Sequence, residues 1–176
     1  MSTQPHIRPL FTEREIRAAL ERVAAQVLER FGTQEPVQVL AVLNGGLWFA
    51  ADLLRLLPPN FLLDTVRISS YGDAQHSSGT LSWLSRPADC RGMRVLVLDD
   101  VLDTGTTLQG VVAELRAMGA AEVCTAVAVD KRERRSCPFS ADFAALQVQS
   151  GFLVGYGLDF AGRYRNLPFI GVLEQA

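Results

Sequence analysis

Two adjacent carboxylates, Asp99 and Asp100, follow the apolar run Val95-Leu-Val-Leu98 and precede a third, Asp103, and a hydroxyl-rich turn, Thr104-Gly-Thr-Thr107. Such a run fits a strand buried on both faces of a parallel sheet, and it delivers the residues after it to the sheet's C-terminal edge. That edge is where open α/β sheets bind ligands. Beyond the turn, Leu108, Val111, Val112, Leu115 and Met118 recur at helical spacing, so the turn opens a helix whose free first-turn N–H groups attract an anion. Carboxylates beside an anion site fit a sugar phosphate, with the hydroxyls facing Asp99 and Asp100 and the phosphate resting on Thr104, Gly105, Thr106 and Thr107. Mg²⁺ would bridge any pyrophosphate nearby. A Walker-type loop is excluded, because no Gly-Lys-Ser/Thr follows the strand. The same residues also suit a ligand-free turn in which Asp103 caps the helix.

The elements that position this segment are legible along the chain. Residues 1 to 11 read as an extended lead-in. Thr12-Glu-Arg-Glu15 is a capping box, and Ile16, Ala19, Leu20, Val23, Val27 and Leu28 keep helical spacing up to Gly32. Val37 to Leu43 is a buried strand, Asn44-Gly45-Gly46 a turn at its C-terminal end, and Leu47 to Leu57 a helix stopped by Pro58-Pro59. Strand, glycine turn and helix again make an anion-binding terminus or, as readily, a plain helix cap. Leu63 to Ser70 is a further strand, and Tyr71 to Gly79 is too hydrophilic for a core and reads as a loop or β excursion. Glu122 to Asp130 is a strand, and Lys131-Arg-Glu-Arg-Arg135 reads as a charged, solvated break. Ala141 to Val148, Gly151 to Gly157 and Arg163 to Val172 are shorter elements that suit a small antiparallel or mixed subdomain beside the parallel core.

At 176 residues and 48% hydrophobic, the chain holds one good core, so a single domain is expected over 1–176. Its parallel core spans about 12–140, with a hood from the lead-in and 141–176. A net charge of −2 gives no bulk attraction for nucleic acid or an anionic membrane. The three cysteines, Cys90, Cys124 and Cys137, lack Cys-x-x-Cys spacing, which argues against a disulfide framework and a zinc site and for a reducing cytoplasm. The N-terminus lacks a signal peptide's apolar core, and charged residues break every hydrophobic stretch short of a membrane span. Lys131 is the lone lysine among 17 basic residues, the others being arginine. It is either a chance survivor or the occupant of a place that a guanidinium cannot fill.

The segment from Asp99 to Thr107 resembles the motif that binds 5-phosphoribosyl-1-pyrophosphate (PRPP) in type I phosphoribosyltransferases, an acidic pair followed by two apolar residues and Asp-Thr-Gly-x-Thr. Leu43-Asn-Gly-Gly46, Ser69-Ser-Tyr-Gly72, Lys131, Phe152-Leu-Val-Gly-Tyr-Gly-Leu-Asp159 and Arg165-Asn-Leu-Pro168 extend the resemblance, from about residue 10 to 174, to 6-oxopurine phosphoribosyltransferases of the hypoxanthine-guanine type. The resemblance implies a central parallel sheet flanked by helices with a small hood, and transfer of phosphoribose to a purine base with release of pyrophosphate. It implies that Lys131 reads the purine 6-oxygen, Phe152 stacks on the ring, and the Leu153 backbone meets the base edge. Asn44, Gly45 and Arg165 would hold pyrophosphate, and Asp159 with Asp99 and Asp100 would hold Mg²⁺. Ser70 and Tyr71 would open a lid, and Asp103 would act as general base. It further implies a homodimer or homotetramer, to which Leu47-Trp48-Phe49 and Trp83 would contribute. The chain departs from the pattern at Asn44, where a basic residue is usual. Xanthine-guanine preference, an RNA-binding regulator and a noncatalytic ligand-binding module are the alternatives.

Overall fold

The computed structural model describes residues 6–69 and 82–174. The first strand, β1 (His6–Phe11), leads into α1 (Glu13–Phe31) through a complete capping box. Thr12 Oγ1 accepts the Glu15 N–H at 3.4 Å, and Glu15 Oε2 accepts the Thr12 N–H at 2.8 Å, which satisfies two first-turn donors. Gly32, at φ 69°, ends the helix.

The chain then runs β2 (Val37–Leu43), α2 (Leu47–Leu54), β3 (Phe61–Ser69), β4 (Ser82–Ser85), β5 (Arg94–Leu102), α3 (Thr106–Ala117), β6 (Glu122–Lys131), β7 (Phe143–Val148), β8 (Leu153–Val154) and β9 (Ile170–Glu174). Six of these strands form one sheet in the order β4-β3-β2-β5-β6-β7, parallel except for the β4 edge, which pairs antiparallel with β3. The central strands are buried on both faces because helices cover both. Leu96 and Leu98 of β5 pack with Val39, Ala41 and Phe49 on the α1 and α2 side, while Val95 and Val97 pack with Leu108, Val111 and Leu115 of α3 on the other. Each such aliphatic side chain taken fully out of water contributes about 1.5–3 kcal/mol. This is the α/β architecture anticipated from the sequence.

Several boundaries differ. Phe143–Val148, expected in the small subdomain, pairs parallel with β6, Ala126 lying opposite Phe143, so the parallel core extends past residue 140. A six-residue apolar run does not reveal which sheet it joins. The lead-in is a strand: β1 pairs antiparallel with β9, which also pairs with β8, in a separate three-stranded sheet that ties the two ends of the chain together. The helix after Gly46 stops at Leu54, short of Leu57, and β5 continues through Asp99 and Asp100 to Leu102. No helix among the described residues is long and apolar enough to cross a membrane.

Candidate active site

Strand alternation sends successive side chains of β5 to opposite faces. Asp99 continues the Val95 and Val97 face toward α3, and Asp100 continues the Leu96 and Leu98 face toward the Asn44-Gly45-Gly46 turn. A Cβ on Gly45 would overlap the Asp100 carboxylate, and one on Gly46 would lie 2.7 Å from the Val42 carbonyl oxygen, so both positions need glycine for the turn to lie against β5. Asn44 is exposed, and its carbonyl accepts the Leu47 N–H at 3.3 Å. Burial, reinforced by the neighbouring Asp100 charge, pushes the Asp99 carboxyl well above the usual carboxylate range, and burial raises Asp100 as well.

Two hollows meet at this strand end. One, of about 220 Å³, is walled by Asp99, Asp103, Thr104, Gly105, Thr107 and Leu108, at the start of α3. Gly105, at φ 90°, is the residue before the helix, and no side chain caps it, which leaves Asp103 without the capping role that the sequence allowed. Thr104 and Thr106 share a hydroxyl contact of 2.9 Å. The second hollow, of about 180 Å³, is lined by Lys131, Arg134, Phe152, Leu153, Leu158 and Asp159. Asp100, Val101 and Asp103 line both.

Lys131 ends β6 and is 8% exposed, with its ammonium 3.8 Å from Asp103 Oδ1 and 3.5 Å from Glu133 Oε2. Asp103 Oδ1 is itself buried without a hydrogen-bond partner, and Arg134 Nη1 lies 3.5 Å from Oδ2. Leu153 is buried, whereas Phe152 is half exposed and meets Phe160 edge to face at 5.5 Å. Asp159 Oδ1 pairs with Arg165 Nη2 at 2.6 Å, and Arg165 Nη1 donates to the Gly157 carbonyl at 2.5 Å. A Cβ on Gly157, at φ 99°, would overlap the Gly45 carbonyl, so the Gly157 backbone, to which Arg165 is hydrogen-bonded, is seated directly on the glycine turn.

The predicted residues therefore gather in one place, with two exceptions. Ser70 and Tyr71 lie outside the described residues. Asp99 and Asp159 line different hollows, and no three Asp, Glu, His or Cys side chains among the described residues form a ready metal cage. Arg134, Leu158 and Phe160 were missed by the sequence reading, although Arg134 follows Lys131 within the same basic run. Of the anticipated interface residues, Phe49 is in the core and the Trp83 indole donates to the Glu114 carboxylate from a half-buried position, leaving Leu47 exposed and Trp48 partly so.

Residues 9–161 match the model of the phosphoribosyl transferase domain. The hypoxanthine-guanine phosphoribosyltransferase of Aquifex aeolicus is 35% identical over 169 residues, 96% of this chain and 95% of the relative, and that of Bacillus subtilis is 34% identical over 95% and 93%. A solved point mutant of the hypoxanthine phosphoribosyltransferase of Trypanosoma cruzi, in a ternary complex with substrates, superposes with a TM-score of 0.88 at 34% identity over 95% of both chains. A hypoxanthine-guanine phosphoribosyltransferase of Bacillus anthracis does so with a TM-score of 0.88 at 30% identity, over 97% of this chain and 100% of the other. With the acidic pair, the turn before α3 and the lysine-lined hollow converging on one strand end, this chain belongs to the phosphoribosyltransferase family, as a transferase of the hypoxanthine-guanine group.

Proposed function

We propose that the protein salvages 6-oxopurines, transferring the 5-phosphoribosyl group of PRPP to hypoxanthine or guanine to give IMP or GMP and pyrophosphate. The observation that carries this reading is the buried, unpartnered Asp103 Oδ1 at the junction of the two hollows, beside the lone lysine. In this reading the hollow at the start of α3 takes the 5′-phosphate on the N–H groups of Thr104 to Thr107, and Asp99 and Asp100 hold the ribose hydroxyls. The hollow under Lys131 takes the base, its ammonium donating to the 6-oxygen; an ammonium has no acceptor for the 6-amino group of adenine. Phe152 stacks on the ring, and the Leu153 backbone meets its edge.

N9 of the base forms a bond to ribose C1 while the C1–O bond to pyrophosphate breaks, its electron pair leaving with the pyrophosphate. The N7 proton passes to Asp103, a general-base step worth on the order of a hundredfold. Arg165 and the backbone around Gly45 take up the charge on the leaving group, and Asn44 contributes through its backbone. The donor set suits Mg²⁺, which is held by one or two carboxylates together with substrate oxygens and needs no all-protein cage. Asp159 in the hollow under Lys131, or Asp99 and Asp100 in the hollow at the start of α3, are the carboxylates that would hold it, and when bound it supplies neutralisation of pyrophosphate charge. Ser70 and Tyr71 would close over the site and keep water from the ribosyl cation. Exposed Leu47 with Trp48 supports a homodimeric or homotetrameric assembly, the three free thiols support a cytoplasmic setting, and the net charge of −2 supplies no bulk attraction for nucleic acid or an anionic membrane.

The test is pyrophosphate release from PRPP and Mg²⁺ with hypoxanthine, guanine, xanthine, adenine and uracil in parallel. Turnover of oxopurines with adenine and uracil inert is expected. Xanthine as the best substrate would replace the hypoxanthine reading, and silence with all five would overturn it in favour of a binding or regulatory role.

A further inference from the structure

The run Lys131 to Arg135 reads in sequence as a solvated turn, yet the Arg135 side chain is only 19% exposed. Its guanidinium donates to the carbonyls of Asp103 at 3.0 Å, Leu102 at 3.1 Å, Lys131 at 3.3 Å and Phe139 at 2.6 Å, and to Asp130 Oδ1 at 2.5 Å. The next carbonyl of the turn, that of Thr104, accepts the Ser136 N–H at 3.0 Å and Oγ at 3.3 Å, with Cys137 Sγ at 3.5 Å. Three consecutive carbonyls, Leu102 to Thr104, are thus all held from behind by residues 135–137. The packing is close: a Cβ on Gly105 would lie 2.8 Å from Cys137 Sγ and 3.3 Å from Arg135 Cδ.

An anion cradle works only if its N–H groups point at the anion, which requires the alternate carbonyls to point away. Carbonyls turned into protein need donors there, or their desolvation would favour a flipped turn. A guanidinium supplies several donors in a fixed fork, where an ammonium offers a single compact head. We propose that Arg135 is a positioning residue that polarises the turn from Asp103 to Thr107. By holding the carbonyls of Leu102 and Asp103 into the protein, away from the cradle, it fixes the N–H groups on the phosphate side, and through Asp130 and the Lys131 carbonyl it ties that turn to the strand end that carries the base-reading lysine. The inference rests on the assignment of this turn to the 5′-phosphate.

The experiment compares the native chain with Arg135→Lys, measuring kcat, the KM of PRPP and the KM of hypoxanthine, together with calorimetric binding of GMP and of guanine. In Arg135→Lys the KM of PRPP should rise about tenfold or more and GMP binding weaken in step, since both ligands use the cradle. The KM of hypoxanthine and the binding of guanine should move less than about threefold. Asp130→Asn, which loosens the guanidinium at its anchor, should move the same quantities in the same direction, and stands in should the lysine variant fail to fold. Loss of kcat with both KM values unchanged would mean fewer intact molecules and would overturn the positioning role, as would unchanged GMP binding in either folded variant. A native protein inert with PRPP and every base would instead remove the functional reading beneath it.

Discussion

Replacing Asp103 by asparagine separates chemistry from architecture. The side chain keeps its volume, but a neutral amide has far less basicity than a carboxylate and cannot take the N7 proton. Both ion pairs lost are loose, Lys131 Nζ standing 3.8 Å from Oδ1 and Arg134 Nη1 3.5 Å from Oδ2, and the lysine keeps Glu133 at 3.5 Å. The pair with Arg134, which is 67% exposed, is worth under about 1 kcal/mol, and the buried Lys131 ammonium is not left without a partner, so its loss stays below the roughly 3–5 kcal/mol of a buried charge stripped of its counterion. Nor does the Asp103 carboxylate cap α3, so the phosphate cradle should survive. The chemical step, in contrast, loses a base worth about 10²- to 10⁴-fold, or about 2.7–5.5 kcal/mol on the barrier. Steady-state pyrophosphate release with hypoxanthine and PRPP varied independently, beside calorimetric melting, should show kcat down at least about a hundredfold, with the PRPP KM nearly unchanged. A kcat within threefold of the native value, or a PRPP KM rising as steeply as kcat falls, would refute the general-base assignment.

Lys131→Arg keeps the charge but puts a larger planar head into a hollow of about 180 Å³, so kcat/KM for oxopurines should drop at least about tenfold with no gain for adenine, and near-normal turnover would refute the recognition role. Gly157→Ala and Gly162→Ala both force a Cβ onto a positive-φ residue, but only the first meets a neighbour, the Gly45 carbonyl, while Gly162 faces open space. Urea melts should show about 1–2 kcal/mol lost at Gly162 and about 3 kcal/mol or more at Gly157; equal losses would contradict the seating of that segment on the turn. Burial alone would raise the Glu122 carboxyl, but hydrogen bonds and charge from Arg94 and Arg30 outweigh it and hold the group below its usual value. The folded state therefore releases this proton more readily than the unfolded chain, so the stabilisation is present above the unfolded pKa of about 4.3 and fades as pH falls through the lower folded value. Glu122→Gln should lower the melting temperature by about 2–4 °C at pH 7, with the gap narrowing below about pH 4; a gap that widens in acid would reverse the sign of the argument.

What the sequence disclosed was set by how local its cause was. The Val95 to Leu98 run is buried on both faces, and a strand with that property sits inside a sheet covered by helices, so the sheet architecture and the strand end at which Asp99 and Asp100 stand could be read from that run. The capping box at Thr12 and Glu15 is likewise decided within one helical turn. Phe143–Val148 carried no mark of its partner, because pairing with β6 is settled by the register of a strand a dozen residues away. Arg135 was obscured for a related reason. Composition assigns a basic run to solvent, while the acceptors that draw Arg135 inward are the carbonyls of Leu102 and Asp103, 33 and 32 residues distant, and backbone carbonyls leave no trace in a list of side chains. Phe49 shows the converse: an apolar triplet beside a glycine turn suggests an interface, but helical geometry points its third member into the core.

The acidic pair shows how one local rule aims two neighbouring carboxylates at two different turns. Because neighbours on a strand face opposite ways, a doublet of aspartates at the end of β5 serves both sides of the sheet at once, Asp99 toward the α3 turn and Asp100 toward the glycine turn. Neither could move one place along the chain without exchanging sides. The arrangement costs stability, since burial and mutual repulsion raise Asp99 well above its normal range and burial raises Asp100. Buried carboxylates of this kind are stabilised by ligands that bring donors or cations. In the function proposed above those are sugar hydroxyls and a pyrophosphate-borne Mg²⁺, so calorimetry should show hydroxyl-poor or uncharged analogues of PRPP losing most of their affinity at this strand end, and undiminished binding of such analogues would refute the assignment.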